Sequence, residues 1–202
     1  MENHGGAKKF NQSTVWAHFL LYKISVPFFI FIFRGGSALK KIGIVMGSDS
    51  DLPVVQKAID TLNSLEIPYE VHVFSAHRTP VEAKEFAAGA RAAGFGVLIG
   101  AAGMAAHLAG AIAANTTLPV IGIPCKSSNL DGIDALLSTV QMPPGIPVAT
   151  VGINGAVNAA LLSAQILAVT DEEIAAKLDA KRKADAEKVL EKDAKIAAQF
   201  NR

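Results

Sequence analysis

The strongest constraint on how this chain can fold is a rhythm that begins at Lys41. Strand-length apolar runs recur, and each is followed by a short polar stretch and then by a segment with helical spacing. The runs are Ile42 to Met46, Tyr69 to Phe74, Val97 to Gly100, Val120 to Ile123 and Val148 to Gly152. After the first, Val55, Ile59, Leu62 and Leu65 repeat at the period of an amphipathic helix. Further helices are expected over about Pro80 to Ala93, Ala105 to Ala114, Ile133 to Val140, and an Ala-rich stretch ending near Val169. Strands that alternate with helices over short connections form a parallel sheet with helices on both faces. Mostly continuous apolar strands suit a sheet covered on both sides. Ligands of such sheets bind outside the carboxyl ends of the strands, so the polar loops at those ends are where chemistry is expected.

Composition narrows the function classes. With 202 residues, half of them hydrophobic and 18% charged, the chain has enough apolar material for a folded core. A net charge of +1 supplies no basic field for nucleic acid or an anionic membrane surface. The single cysteine, Cys125, excludes an internal disulfide and any multi-cysteine metal site. A buried thiol is the better reading of it than a nucleophile.

The two ends stand apart from the repeating part. In residues 1–40, Met1 to Thr14 is polar, and Val15 to Phe33 is apolar but broken by His18, Lys23 and Pro27. Its densest part, Ile24 to Phe33, is too short to span a bilayer as a helix. Lys8, Lys9 and the small residues Gly35 to Ala38 have the ingredients of a signal peptide, but Lys23 interrupts the apolar part. A dispensable extension or start-site artefact is expected there, ahead of a catalytic α/β domain over residues 41–169. At the other end, Thr170-Asp171-Glu172-Glu173 reads as a capping box. It opens a long charged helix over residues 170–202, whose apolar stripe is thin. Such a helix is either a solvated arm or a docking element for another subunit.

The densest chemistry lies in Ser75-Ala76-His77-Arg78-Thr79-Pro80, between the second run and the next helix. An imidazole moves protons near neutral pH, and a guanidinium forks onto a phosphate. Thr79-Pro80-Val81-Glu82 reads as a capping box with Pro at the first helical position. After the first run, Ser48, Ser50 and the backbone N–H groups before Leu52 can cradle a phosphate, and Asp51 can hold ribose hydroxyls or cap the helix. Neither a P-loop nor a dinucleotide Gly-x-Gly-x-x-Gly turn is present there. His107 follows a small-residue turn near the start of a helix, where a core histidine and a site histidine are equally good readings. His72, in the middle of the second run, is expected to be structural. His77 and His107 lack the partners of a metal site.

These motifs carry a resemblance. Gly47 to Asp51, Ser75 to Pro80, Ala105 to Leu108, Gln141 to Pro143 with Gly145 to Val148, and Asn158 to Leu162 stand in an order and spacing similar to one enzyme family. That family is the purine-pathway mutases that interconvert N5-carboxyaminoimidazole ribonucleotide and 4-carboxyaminoimidazole ribonucleotide. It is also described as the phosphoribosylaminoimidazole carboxylase catalytic-subunit family. The resemblance covers about residues 41–169. It implies a flavodoxin-like three-layer α/β/α sandwich, a cytoplasmic homo-octamer with active sites at subunit boundaries, a small ribonucleotide substrate, no cofactor and no metal. By motif, Ser48 and Asp51 would contact ribose and phosphate, and Ser75 and Arg78 would hold the 5′-phosphate. His77 would be the general acid and base. Gly103 and the Ala105 to His107 stretch, with His107 as a second catalytic histidine, would wall the imidazole and the departing carbon dioxide. Lys126-Ser127-Ser128 falls at a loop near the substrate. Ala101 and Met104 stand where the family pattern has Gly, Ala109 where Pro is frequent, and Ala135 where Ser is common.

Two other readings compete. A related carboxylase would use free carbon dioxide and aminoimidazole ribonucleotide, and it is separated from the mutase by which substrate turns over. A non-catalytic nucleotide-binding module on the same fold would bind the ribonucleotide and turn over nothing.

Overall fold

Lys41–Met46 forms β1 because an Ile-Gly-Ile-Val-Met sequence is apolar on both sides of the pleat, and only a strand buried on both faces accommodates that. The computed structural model describes residues 39–201. A single 3-10 turn over Asp49–Asp51 leads from β1 into α1, Leu52–Ser64. There follow β2 (Tyr69–Val73), α2 (Pro80–Gly89), β3 (Phe95–Gly103), α3 (Leu108–Ala113), β4 (Val120–Cys125), α4 (Ile133–Val140), β5 (Ala149–Thr150), α5 (Ala156–Ala168) and α6 (Glu172–Phe200). The five strands are all parallel in the order β2-β1-β3-β4-β5. That is the flavodoxin-like order, and its direction reverses between β1 and β3. The expected N-terminal extension lies outside the described residues except for Leu39 and Lys40.

Strand alternation divides the core in two. Ile42, Ile44, Val97, Ile99, Ile121 and Ile123 meet α1 and α5 on one face, and Ile174 of α6 joins them. Val45, Leu98 and Val120 meet α2 and α3 on the other. The second face is also where the sheet loses its side chains, because Gly100 pairs with both Val45 and Gly122 in register. A Cβ on Gly100 would lie 2.9 Å from the Ala109 Cα. The missing methyl is what lets α3 settle against the sheet.

The structure corrects the expected elements in four places. β3 runs to Gly103 rather than stopping at Gly100, because Ala101, Ala102 and Gly103 pair with Ile123, Pro124 and Cys125. β5 is two residues long instead of five. α3 begins at Leu108, so His107 sits immediately before the helix instead of inside it. The cap of α6 is Asp171, whose carboxylate accepts from the N–H groups of Glu173 and Ile174; Thr170 does not cap it. Past its first turns α6 is exposed, as a charge-rich helix should be.

Gly100→Ala tests the close packing. The added methyl meets helix backbone, which cannot rotate away, so the variant should lose about 1–3 kcal/mol of stability. A thermal melt superimposable on that of the parent chain would contradict it.

Candidate active site

The loops that leave β1, β2, β3 and β4 at their carboxyl ends surround one cavity of about 550 Å³. All eight residues singled out in the sequence line it: Ser48, Asp51, Ser75, His77, Arg78, Gly103, Ala105 and His107. Lys126, Ser127 and Ser128 from the loop after β4 close its far side.

The loop after β1 is held by a reciprocal cap. The Ser48 hydroxyl accepts from the Ser50 N–H at 3.3 Å, and the Asp51 carboxylate accepts from the Ser48 N–H at 3.2 Å. Asp51 therefore faces back toward the loop, and as N-cap of α1 it makes no side-chain bond to that helix. Burial is the main reason its carboxyl is raised above the usual value near 3.8; the Ser48 N–H pulls the other way. The Cys125 thiol lies beside it at the end of β4. Burial first, and then the neighbouring Asp51 charge, push that thiol up to about 12. A thiol so protonated is no nucleophile at neutral pH.

The loop after β2 is organised by Ser75 and Thr79. The Ser75 hydroxyl accepts from the N–H groups of His77 (3.3 Å) and Arg78 (3.2 Å). The Thr79 hydroxyl accepts from the Ser75 N–H at 2.8 Å and faces the Ser75 carbonyl at 3.3 Å. It makes no bond to α2, so the capping box expected from Thr79 to Glu82 is not formed. The loop claims that hydroxyl instead, and this brace is the functional feature that sequence spacing misses. Arg78 donates to the Gly47 carbonyl at 3.1 Å, tying the β2 loop to the β1 loop across the entrance.

The loop after β3 brings the second histidine. His77 Nε2 lies 3.3 Å from His107 Nδ1, with the rings edge to face at 82°. Two N–H groups cannot face each other at that distance, so one nitrogen donates and the other accepts. The pair thereby couples the tautomers of both rings. Both imidazoles are exposed to the cavity. His107 lines the cavity and is exposed to it, so it is not packed in the core. His72 is structural as expected, stacked on Phe74 with centroids 5.0 Å apart and tilted against Phe86 at 4.8 Å. Among the described residues no three His, Cys, Asp or Glu side chains gather closely enough to hold a metal ion. No helix there is long and apolar enough to cross a membrane.

The cavity's lining differs in chemistry from loop to loop. Ser48, Ser50, Ser75 and Arg78 supply hydroxyls, N–H groups and a positive charge suited to a phosphorylated sugar. Ala102, Gly103, Met104, Ala105 and Leu108 make a wall almost without polar side-chain atoms. The imidazole pair joins His77 of the β2 loop to His107 of the β3 loop within that lining. The arrangement suits proton transfer to a flat ring whose phosphate is anchored in the same cavity.

Asp51 yields a pH test with a definite sign. Its folded carboxyl binds a proton more tightly than the unfolded one, so its effect on stability is most favourable below about 3.8 and is lost as pH rises through the raised folded value. Asp51→Asn should melt higher than the parent at neutral pH, with the gap closing on acidification. Parallel melting curves across the range would contradict the burial cost.

Residues 41–188 match the family model described as AIR carboxylase. An N5-carboxyaminoimidazole ribonucleotide mutase of Pyrococcus abyssi is 57% identical over 140 residues, which are 69% of this chain and 80% of that protein. A phosphoribosylaminoimidazole carboxylase of Candida glabrata is 47% identical over 155 residues, 77% of this chain but only 27% of that protein. The crystal structure of Treponema denticola PurE superposes with a TM-score of 0.68 at 30% identity, covering 81% of this chain and 99% of that one.

Proposed function

Because the chain belongs to the AIR carboxylase family, we propose that it is an isomerase of purine biosynthesis that converts N5-carboxyaminoimidazole ribonucleotide to 4-carboxyaminoimidazole ribonucleotide. The observation that carries the reading is the imidazole pair, His77 Nε2 at 3.3 Å from His107 Nδ1, in one cavity also lined by Ser48, Ser75 and Arg78 and by the apolar Ala102, Met104 and Leu108. The mutase is favoured over the carboxylase by coverage. The Pyrococcus abyssi mutase is matched over 80% of its length, and the Candida glabrata carboxylase over 27%.

In this reading Arg78, Ser75 and the β1 loop hold the phosphate and ribose, Ser48 and Asp51 among them. That binding energy fixes the base against the histidines. His77 gives a proton to the carbamate nitrogen, the N–C bond breaks, and carbon dioxide is released beside the ring. The ring carbon attacks it and forms the new C–C bond. His77 then takes the proton from that carbon, so one proton is given and one recovered. A single imidazole serves both steps because the acid and base roles alternate along the reaction. His107 sets the tautomer of His77 through their contact. Gly103 and Ala105 keep the wall small enough to hold ring and gas together, and the dry apolar end limits loss of the gas. The reaction as written calls for no cofactor and no metal.

The catalytic unit is residues 41–169, and α6 within 170–202 serves contacts between copies. We assign the active form to a cytoplasmic homo-octamer. Exposed Ile133, Leu137 and Val140, an apolar row on α4, with exposed Leu130 just before the helix, support assembly. A sedimenting species of eight chains is the expected result, and a stable monomer that is fully active would sink the assignment.

Turnover of N5-carboxyaminoimidazole ribonucleotide by the purified chain, without ATP, metal or bicarbonate, tests the function. Product from aminoimidazole ribonucleotide plus carbon dioxide alone would move the chain to the carboxylases. Binding with no turnover in either assay would make it a nucleotide-binding module. His77→Asn should lower turnover by about 10²–10⁴-fold with KM little changed. Undiminished turnover in that variant would remove His77 from the acid–base role.

A further inference from the structure

Met104 is the one residue lining the cavity whose backbone is left-handed without being glycine, at φ +54°. Left-handed backbone is strained for a residue with a side chain, and a methionine has no short polar group to offset the strain locally. The other non-glycine residues with this backbone have ordinary explanations. Asp131 and Asn154 are of the types that tolerate it, and Glu66 follows the end of α1. Met104 follows a strand, so no helix end accounts for it. Strain kept at the wall of a site points to a use for the side chain there.

Position suggests the use. Met104 is 61% exposed and yet lines the cavity, so its side chain stands at the rim. Its carbonyl accepts from the Ala106 N–H at 2.9 Å, and the Ala105 carbonyl accepts from the His107 N–H at 2.9 Å. The tight turn that fixes Met104 is therefore continuous with the one that presents His107. Ala102, Ala105 and Leu108 are its apolar neighbours in the lining, which also includes Ser48, Ser75 and Arg78. An unbranched thioether is flexible enough to follow a ligand and is apolar throughout.

We infer that Met104 is a specificity-determining residue that covers the apolar end of the cavity over bound substrate and decides how often released carbon dioxide is recaptured rather than lost. The inference rests on the mutase reading above. In a captured turnover the carbon dioxide forms the C–C bond with the ring. In a lost one the N–C bond has broken, the amine nitrogen keeps the proton from His77, carbon dioxide leaves, and aminoimidazole ribonucleotide remains. A small residue at 104 leaves the gas an open exit, and leaves dissolved carbon dioxide an open entrance.

The experiment runs the full chain on N5-carboxyaminoimidazole ribonucleotide in buffer containing isotopically labelled bicarbonate. It reads the label in the 4-carboxy product, with an enzyme-free blank subtracted. Product from the parent chain should carry little label. Met104→Gly should carry several-fold more, and Met104→Leu, which restores apolar bulk, should stay close to the parent. Glycine relieves the backbone strain, so Met104→Gly should also melt about 2–4 °C higher, which separates leakage from loss of the fold. Equal label in the parent and Met104→Gly overturns the inference alone. A lower melting temperature for Met104→Gly overturns its strain argument. Absence of product from the parent chain overturns the mutase reading and this inference together.

Discussion

The contact on which the site depends is the close seating of α3 on the sheet, where Gly100 and Gly122 stand side by side without side chains. Interiors are packed to crystal-like density, so a helix cannot be lifted by a methyl group without moving what it carries. What α3 carries is His107, the residue just before its first turn. The distance from His107 to His77 is set by two independent supports: the β3–α3 packing on one side and the Ser75–Thr79 brace on the other. Among the described residues neither imidazole is held by a charged partner, so precision comes from backbone placement.

The same economy shapes the electrostatics. Asp51 is half-buried with its carboxylate satisfied by the Ser48 N–H, and it keeps an inert thiol for a neighbour. Arg78 makes one bond to a carbonyl and meets no carboxylate within ion-pair distance among the described residues. A guanidinium unmatched by an internal acid keeps its full charge available for an anion. Lys126, by contrast, is already paired with Asp131 at 2.8 Å. Among the described residues that line the cavity, the unpaired cationic charge is therefore that of Arg78.

Much of this was legible in the sequence because the signals were periodic or compositional. Apolar runs located β1, β3 and β4 and an alternating run located β2, and the loops at their ends contained every residue later found around the cavity except Leu108. Errors arose where one residue type serves two structures. Ala101-Ala102-Gly103 has the composition of a turn, yet pairing with β4 on one edge, and with β1 through Ala101, holds it in β3. Thr79 has the spacing of a helix cap, but Ser75 lies close enough to take its hydroxyl. The histidine pair spans 30 residues of sequence and becomes visible only when β2 and β3 flank β1 in the sheet. Tertiary competition of this kind has no local signature.

The shortness of β5 has a consequence for how this molecule meets its neighbours. Edge strands offer unpaired amide and carbonyl groups on which a foreign strand can grow. One edge of this sheet is a strand of only two residues. The other, β2, carries Glu70 engaged with Lys41 and His72. A chain with so little open ladder and such charged flanks is a poor template for fibre growth, even though its inner strands are among the most β-prone sequences it contains. Protection from that fate is built into the borders of the sheet, and the interior is left free to be as apolar as packing requires.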